Sequence, residues 1–436
     1  MKRIQWAGLA AIFILGACAQ LAGIEPPIDP PPEGTSGTGS GSGSGSGGGL
    51  QNGSVCSDDA QCASQHCADG VCCNMACTET CKTCNLMGSV GSCINVPAYA
   101  DDENAMTMCS GTTQSCDGQG ICRREIGQPC ATKNDCLGAE CLNQVCTPRS
   151  CEQLTPNCGP LEDEHCCASI VVPGGTYNRS NDPNAPASVS SFRLDRFEVT
   201  VGRFRKFVNG YPANAMLAAG AGQHPLIPGS GWDPSWDSSL PANATALKAE
   251  LLCDPDFQTW TDTAGGNERL PMNCLSWHVA FAFCTWDGGR LPTESEWNYA
   301  AAGGDEQRHY PWSQPPISEA ISSDYAVYDC MASTNMCTID DILKVGSKSP
   351  LGDAKWQQAD LAGSVWEWTL DLDQPYMSEC VDCANIGTGT TRIIRGGGWY
   401  PKANEQFTSY RKGQAPGQAP DPKNQPGVGL RCARNL

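Results

Sequence analysis

Apolar and aromatic residues are concentrated in the C-terminal part of the chain, where their spacing predicts a small number of short elements. Eleven of the twelve Trp residues lie between Trp232 and Trp399, so we expect the hydrophobic core in this part. Ser276 precedes the mostly apolar residues 277–284. We predict a helix there, capped by Ser276 and ended by Gly288.

A second predicted helix carries a stronger start signal. Thr293 and Glu296 follow Pro292 and form a T-x-x-E pattern, in which each side chain can bond the other residue's backbone N–H. We expect the pair at 303–304, Gly-Gly, to end this helix.

Alternating apolar and polar residues predict two strands. The alternation runs through residues 192–197 and continues at Val199 and Val201, as expected for a half-buried strand. Residues 392–394 predict another strand before three consecutive glycines at 396–398. Frequent Gly and Pro elsewhere predict that regular structure is modest.

The first residues have the pattern of an export signal. A cationic start at residues 1–3 precedes an apolar stretch that ends at Leu15 and is too short to span a bilayer. The segment LGAC ending at Cys18 resembles the lipobox of bacterial lipoproteins. This resemblance implies that residues 1–18 are a signal peptide and that Cys18 carries a lipid anchored in the membrane of the cell envelope. Ala19 favours the outer membrane by analogy, on either its periplasmic or its surface face; the alternative is an ordinary signal peptide with an unrelated Cys.

Residues 19–55 and 56–167 differ sharply in composition. The first are rich in Pro, Gly and Ser, which predicts a flexible linker. The second contain 20 Cys and almost no aromatic residues, so disulfides rather than a hydrophobic core must fold this module. Its first four cysteines, Cys56, Cys62, Cys67 and Cys72, recur after 74 residues. This predicts two copies of one small unit, whose disulfide pairing the sequence does not reveal.

The cysteines allow two interpretations. With Cys18 acylated, 29 − 1 = 28 remain, an even number that favours complete pairing in an exported protein. CxxC spacing, which is also typical of zinc sites and redox-active dithiols, occurs among Cys77, Cys81 and Cys84 and again at Cys380 and Cys383. Structural disulfides are the favoured interpretation.

The charge of the chain excludes one class of function. There are 28 Lys and Arg against 47 Asp and Glu, a net charge of −19, and the sequence has no basic run. Because nucleic-acid binding depends on clustered cations, we expect no nucleic-acid partner.

Six segments between residues 168 and 436 form an ordered set of motifs. They are FRLDRFEVTVGRFRKFV at 192–208, NCLSWHVAFAFCTWDGGRLPTESEWNYAAAGG at 273–304, YPWS at 310–313, LAGSVWEWTLD at 361–371, RIIRGGGW at 392–399 and GVGLRCAR at 427–434. In this order they resemble the formylglycine-generating enzyme family, also called sulfatase-modifying factors. The resemblance implies an α+β fold related to C-type lectins, with little regular secondary structure and a structural calcium ion. In active members it also implies oxidation of a sulfatase Cys to formylglycine with oxygen and copper.

The copper-binding residues of this family do not recur here. Active members bind copper(I) through two Cys five residues apart, and the resemblance places Pro401 and Gln406 at these positions. Copper(I) prefers sulfur ligands, and no Cys lies between Cys383 and Cys432. We therefore expect neither copper nor formylglycine generation, unless Cys380 and Cys383 form a displaced copper site.

Other family features are retained. The resemblance implies a disulfide between Cys284 and Cys432. It also implies four calcium ligands, the carbonyl groups of Ala362, Gly363 and Val365 and the carboxylate of Glu367. Oxygen ligands of this kind suit calcium, although Ser364 replaces the usual Asn of that turn. The alternative is that this segment only maintains the fold.

Three functions follow from these observations. The leading hypothesis is a non-catalytic envelope lipoprotein that binds an unknown protein or glycan partner in an aromatic groove near Trp399, Tyr400 and Tyr410. The second is a formylglycine-generating oxidase with a displaced metal site, and the third is a structural protein of the envelope. His278, in the first predicted helix, is interpreted as a core or rim residue rather than a catalytic base.

Overall fold

The computed structural model describes residues 49–86, 88–96, 102, 109, 113–124, 126–137, 139–330, 337–400, 402–417 and 427–435. The predicted signal peptide with Cys18, most of the predicted linker and Pro401 lie outside the described residues. Within the described part of the chain, no helix combines the length and the apolar character needed to cross a bilayer.

Helices and strands are short throughout these segments. The α-helices are α1 (Val201–Asn209), α2 (Ala244–Leu251), α3 (Trp277–Trp286) and α4 (Glu294–Ala302). The strands are β1 (Cys67–Ala68), β2 (Val71–Cys72), β3 (Lys82–Thr83), β4 (Ile94–Asn95), β5 (Gln114–Cys116), β6 (Cys122–Arg124), β7 (Glu140–Leu142), β8 (Val145–Thr147), β9 (Ser169–Val172), β10 (Gly175–Asn178), β11 (Pro186–Val189), β12 (Phe192–Asp195), β13 (Trp366–Leu372), β14 (Arg392–Arg395), β15 (Lys412–Gln414), β16 (Val428–Gly429) and β17 (Ala433–Arg434). Short 3-10 helices, such as Pro234–Ser239, occupy many connections.

The strands form small sheets. One sheet has the order β17-β12-β9 and another the order β15-β14-β13-β16. In the second sheet β13 and β16 run parallel, whereas the other pairs are antiparallel. The remaining strands pair as two-stranded ribbons, β1-β2, β3-β4, β5-β6, β7-β8 and β10-β11. The fold is therefore mixed α and β with little regular structure, as predicted.

The hydrophobic core surrounds β13 and α3. All seven residues of β13 are buried, and its Trp366 and Trp368 belong to the same apolar cluster as Trp277 and Phe281 of α3. Cys284 of α3 forms a disulfide with Cys432, which directly precedes β17. This bond joins the central helix to the C-terminal strand, the pairing that the family resemblance implies.

Both predicted helices are present. The hydroxyl of Ser276 accepts a hydrogen bond from the N–H of Val279 at the start of α3. Thr293 and Glu296 form the predicted capping box of α4, and Gly303 ends that helix in the left-handed conformation, with φ of +68°.

The strand predicted to continue through Val199 and Val201 is shorter than expected. β12 ends at Asp195, and Val201 is instead the first residue of α1, capped by the hydroxyl of Thr200. Val201, Phe204 and Val208 recur at helical spacing and give α1 its buried face. The alternation has a period of two, but the cap at Thr200 begins a helical period that overlaps it. The second predicted strand is present as β14.

Fourteen disulfides use every Cys of the described residues. The two predicted repeats have the same connectivity. In the first copy the disulfides are Cys56–Cys67 and Cys62–Cys72, and in the second they are Cys130–Cys141 and Cys136–Cys146. In each copy a β-hairpin carries the last two cysteines. Repeated spacing therefore corresponds to a repeated structure.

The Cys-rich module packs directly on the larger domain. Arg203 of α1 is fully buried and donates to the hydroxyl of Ser150 at 3.0 Å and to the carbonyl of Cys166 at 3.1 Å. It also forms ion pairs with Asp195 and Asp287 at 3.0 and 2.8 Å. The N–H of Ser150 donates to Asp287 at 2.7 Å, so the end of the module completes a buried polar network.

Candidate functional site

The segment in which the family resemblance places the copper-binding positions lies after β14, at and beyond the glycine turn 396–398. The side chain of Gln406 is buried and donates from Nε2 to the carbonyl of Gly398 at 3.1 Å. A β-carbon at Gly397, whose φ is +75°, would overlap the Gln406 amide. Gln406 therefore packs into the turn as a structural side chain. Its amide offers no soft donor for copper(I).

The prediction that Trp399 lines an open groove is wrong. Trp399 is fully buried and packs with Val327, Ile342 and Val365. Its backbone N–H donates to the carbonyl of Ser364 at 2.7 Å, which holds it below the surface. The sequence could not show this, because its partners come from distant segments.

The other two predicted groove residues are more accessible. Tyr400 is 47% exposed. Tyr410 is half-buried, with its ring centroid 5.9 Å from that of Trp366.

A different aromatic group lies next to Gln406. The rings of Tyr310 and Trp312 stack with centroids 5.1 Å apart, and Trp312 stacks on Tyr325 at 5.3 Å. Phe407, the residue after Gln406, packs on Tyr310 at 4.9 Å. Trp312 and Tyr325 are half-buried, whereas Tyr310 is buried, so two rings of this aromatic stack are partly open to solvent. Sequence reasoning found the YPWS motif but not the stack, because Tyr325 and Phe407 lie far apart in the chain.

The loop predicted to bind calcium contains Ala362, Gly363 and Val365, and the carboxylate proposed for it belongs to Glu367. That carboxylate is fully buried. It accepts hydrogen bonds of 2.7–2.9 Å from Arg431 on both oxygens and one of 2.7 Å from Nε1 of Trp297. A guanidinium so placed already balances the charge of Glu367, so this side chain does not fit the predicted role of calcium ligand.

Glu198 also faces this loop. It accepts hydrogen bonds from the hydroxyl of Ser364 at 3.0 Å and from the N–H of Val365 at 3.1 Å. Burial, followed by the charges of Asp360 and Glu367, raises the pKa of Glu198 well above its usual value. Burial also raises the pKa of Asp360 to about 6. The charge of Arg431 thus acts on three buried carboxyl groups: it pairs with Glu367 and partly offsets the raised pKa of Glu198 and of Asp360.

A second buried ion-pair network surrounds Glu294, the first residue of α4. Its carboxylate accepts from Arg395 at 2.5 Å, from Arg411 at 2.7 and 2.9 Å, and from the hydroxyl of Tyr376 at 3.2 Å. Burial opposes ionisation of Glu294, but the two guanidinium groups outweigh it and lower its pKa. The network ties α4 to the strand β14 and to the segment that follows it.

His278 lies on the rim of the aromatic core. Its ring contacts those of Trp277 and Trp236 edge to face. Burial and the nearby charge of Arg392 lower its pKa to about 4, so the imidazole is neutral at physiological pH. This environment agrees with its interpretation as a rim residue.

Comparison with known proteins assigns the C-terminal part of the chain to a family. Residues 156–436 match the profile of the sulfatase-modifying factor enzyme 1-like domain. The match begins before the boundary expected at residue 168 and includes Cys158, Cys166 and Cys167 of the Cys-rich module.

Curated relatives include inactive and active members. The chain is 26% identical over 294 residues to the inactive C-alpha-formylglycine-generating enzyme 2 of Mus musculus, covering 61% of this chain and 85% of the relative. It is 25% identical over 306 residues to the formylglycine-generating enzyme of Thermomonospora curvata, covering 61% and 92%. Among solved structures, PvdO from Pseudomonas aeruginosa aligns with a TM-score of 0.40 and 18% identity, covering 62% of this chain and 94% of that one.

Proposed function

Because the chain belongs to the sulfatase-modifying factor enzyme 1-like family, we propose that it is a non-catalytic member, a lipid-anchored binding protein of the cell envelope. In this proposal the family domain supplies a binding surface, and the Cys-rich module supports it. The lipid on Cys18 attaches the protein to a membrane, for which the outer membrane is the proposed location.

The observation that carries this proposal is the amide of Gln406 at a position where active members have a thiolate. Gln406 is committed to the glycine turn through its bond to Gly398. In the described part of the chain every Cys is held in a disulfide, so no free thiolate is left there to bind copper(I). That inactive relatives occur in the family supports the same interpretation.

A displaced copper site at Cys380 and Cys383 is disfavoured by charge. The two sulfurs are joined in a disulfide, and Nη1 of Arg179 lies 3.6 Å from Sγ of Cys383. A guanidinium at this distance repels a monovalent cation.

Copper and substrate assays test the non-catalytic assignment. The purified protein is incubated with copper(I), oxygen and a Cys-x-Pro-x-Arg peptide, beside an active formylglycine-generating enzyme. We expect no stoichiometric copper retention, no oxygen uptake above background and no aldehyde in the peptide mass spectrum. Copper retention with conversion of the peptide would reject the proposal in favour of the oxidase.

The binding surface that we propose is formed by the half-buried rings of Trp312 and Tyr325, with the buried ring of Tyr310 stacked behind Trp312. Flat aromatic faces and edges stack against sugar rings or apolar side chains, which suits a glycan or protein partner. Of the two residues after the glycine turn 396–398, the proposed surface includes the exposed Tyr400 and omits the buried Trp399.

Hydroxyl-radical labelling on cells tests this surface. When envelope material is present, we expect the side chains of Trp312, Tyr325 and Tyr400 to be less labelled than in the purified protein. We expect this protection to be lost in the variant Trp312→Ala. Trp356→Ala is the matched control, because Trp356 is also half-buried but stacks on Tyr299 instead. Equal labelling with and without envelope material would favour the structural role over binding.

A further inference from the structure

The Cys380–Cys383 disulfide has the shortest loop of the disulfides in the described residues, and polar side chains lie beside both of its sulfurs. The two cysteines are three residues apart, the CxxC spacing. The hydroxyl of Ser295, in the first turn of α4, lies 3.5 Å from Sγ of Cys380 and 3.8 Å from Sγ of Cys383. A hydroxyl in this position can donate to either sulfur once the bond is reduced.

A buried cation faces the same disulfide. Arg179 is 2% exposed, and none of the ion pairs among the described residues includes it. Its guanidinium donates to the carbonyls of Met377 at 2.5 Å and Ala185 at 3.3 Å, and Nη1 donates to Sγ of Cys383 at 3.6 Å. The guanidinium also stacks on the ring of Tyr376, 4.5 Å from its centroid.

Among the described residues, no carboxylate pairs with Arg179, although its guanidinium is buried. Burying a cation without a counter-charge is costly. A thiolate on Cys383 would supply that counter-charge, and cations beside a Cys lower its pKa and favour the reduced pair. Stabilising the reduced form makes a disulfide a stronger oxidant.

Cys380 lies at the wall of a cavity, although the residue itself is only 4% exposed. A cavity of about 640 Å³ is lined by Cys380, Val381 and Glu379 on one side and by Thr176, Asn178 and Gln307 on another. This volume can admit a peptide segment that carries a Cys side chain. An adjoining cavity, a leaving-group cation and a CxxC loop are thus combined at one place.

We propose that Cys380 and Cys383 form a redox-active disulfide that oxidises a pair of Cys residues in an exported protein or peptide. A client thiolate enters from the cavity and attacks Sγ of Cys380, forming a mixed disulfide. The Cys380–Cys383 bond breaks, and its electron pair stays on Cys383 as a thiolate beside Arg179.

The second half of the exchange releases the client. Its second thiol loses a proton to solvent and attacks the client sulfur of the mixed disulfide, and the bond to Cys380 breaks. The client gains a disulfide and loses two electrons and two protons, which Cys380 and Cys383 take up as a dithiol. A low-molecular-weight disulfide of the oxidising compartment restores the starting state by the same exchange. This activity is additional to the proposed binding function, whose non-catalytic assignment concerns formylglycine generation, and it uses neither copper nor the aromatic stack.

Graded redox buffers test the proposal on the whole chain. The protein is equilibrated in glutathione mixtures of increasing reducing strength, quenched with acid, alkylated and mapped by mass spectrometry. We expect Cys380 and Cys383 to be alkylated under conditions in which Cys284–Cys432, a fully buried disulfide in the same molecule, remains intact. Reduction of both disulfides in one transition would overturn the proposal.

Variants of Arg179 test whether its guanidinium makes the Cys380–Cys383 disulfide easier to reduce. We expect Arg179→Met to make the pair about tenfold harder to reduce, equivalent to about 30 mV for a two-electron couple, whereas Arg179→Lys retains most of the wild-type behaviour. Arg205→Met is the matched control, because Arg205 pairs with Glu268 and stacks on Trp260 away from the disulfide. An unchanged equilibrium in a folded Arg179→Met protein would contradict the proposed role of the guanidinium. If that variant does not fold, the wild-type titration and Arg179→Lys still decide the matter.

A trapping experiment tests the order of attack. The variant Cys383→Ser leaves Cys380 as a free thiol, which should accumulate a mixed disulfide with a Cys-containing peptide disulfide. Cys380→Ser should accumulate much less, because Cys383 is not among the residues that line the cavity and its thiolate is held beside Arg179. The opposite preference would overturn the assignment of Cys380.

Discussion

At the scale of residues, three buried carboxyl groups surround the buried guanidinium of Arg431. They belong to Glu198, Asp360 and Glu367. Of the three, Glu367 accepts hydrogen bonds from Arg431 on both of its carboxylate oxygens. Asp360 instead accepts one hydrogen bond of 2.5 Å from the N–H of Gly346. Because burial raises its pKa to about 6, Asp360 keeps its proton to a higher pH in the folded protein than in the unfolded chain.

Asp360→Asn is expected to change how stability depends on pH. The folded pKa of Asp360 lies above the unfolded value of 3.8, so its stabilising contribution is complete below about pH 4 and is lost as the pH rises through 6. The Asn variant stays neutral, can still accept from Gly346 and tolerates the positive φ of this position. Relative to wild type, the variant should therefore gain about 2 kcal/mol in unfolding free energy between pH 4 and pH 7.

Guanidinium denaturation at several pH values measures this difference. Asp324→Asn is the control, because it makes the same chemical change at an exposed residue. A wild-type and Asp360→Asn pair whose midpoints move in parallel would show that the carboxyl group is not held neutral.

At the scale of elements, the helix α4 depends on its first turn. All nine of its residues are buried, and Glu296 both closes the capping box and accepts a bidentate ion pair from Arg290 at 2.6 and 2.7 Å. The hydroxyl of Thr293 accepts from the N–H of Glu296 at 3.0 Å. A defect at this cap would therefore reach the core and the Glu294 network.

Thr293→Ala should lower the unfolding free energy by about 1 to 2 kcal/mol, because it leaves the N–H of Glu296 without its acceptor in a buried place. Thr293→Ser keeps the hydroxyl and should retain most of the stability. The denaturant midpoint measures both variants, and an Ala variant as stable as the Ser variant would show that the cap is dispensable.

Two disulfides should differ in what they contribute. Cys284–Cys432 closes a separation of 148 residues and Cys380–Cys383 one of 3. If restriction of the unfolded chain dominates, replacing both cysteines by Ala should cost about 5 kcal/mol for the long loop and about 2 kcal/mol for the short one. Thermal unfolding of the two double variants measures this order, and a reversed order would show that native contacts decide it.

The predictability of these elements follows the range of the interactions that form them. The helix starts at Ser276 and Thr293 can be predicted because a cap and its partner lie three residues apart. The start of α1 at Val201 escapes prediction because a strand alternation overlaps it. The burial of Trp399 and the contact of Arg179 with Cys383, 204 residues apart, depend on tertiary packing and leave no local signal.

At the scale of the whole molecule, the Cys-rich module and the family domain share buried structure. Every described Cys is in a disulfide, which suits an oxidising compartment. The family match begins at residue 156, inside the module as the Cys spacing defined it. Cys158 and Cys166 pack with Phe197, Val345 and Ala359 of the larger domain. The module is thus an integral extension of the domain at this border.

A chain that begins at residue 168 should therefore be less stable than one that begins at residue 148. The shorter chain lacks Ser150, so Arg203 and Asp287 each lose a buried hydrogen-bond partner, and it exposes the apolar surface around Phe197. The longer chain keeps both Cys151–Cys167 and Cys158–Cys166. We expect a lower denaturant midpoint and faster cleavage by a nonspecific protease for the shorter chain. Equal midpoints and equal cleavage rates would mean that the domain folds independently of the module, with its border at 168 as the sequence alone suggests.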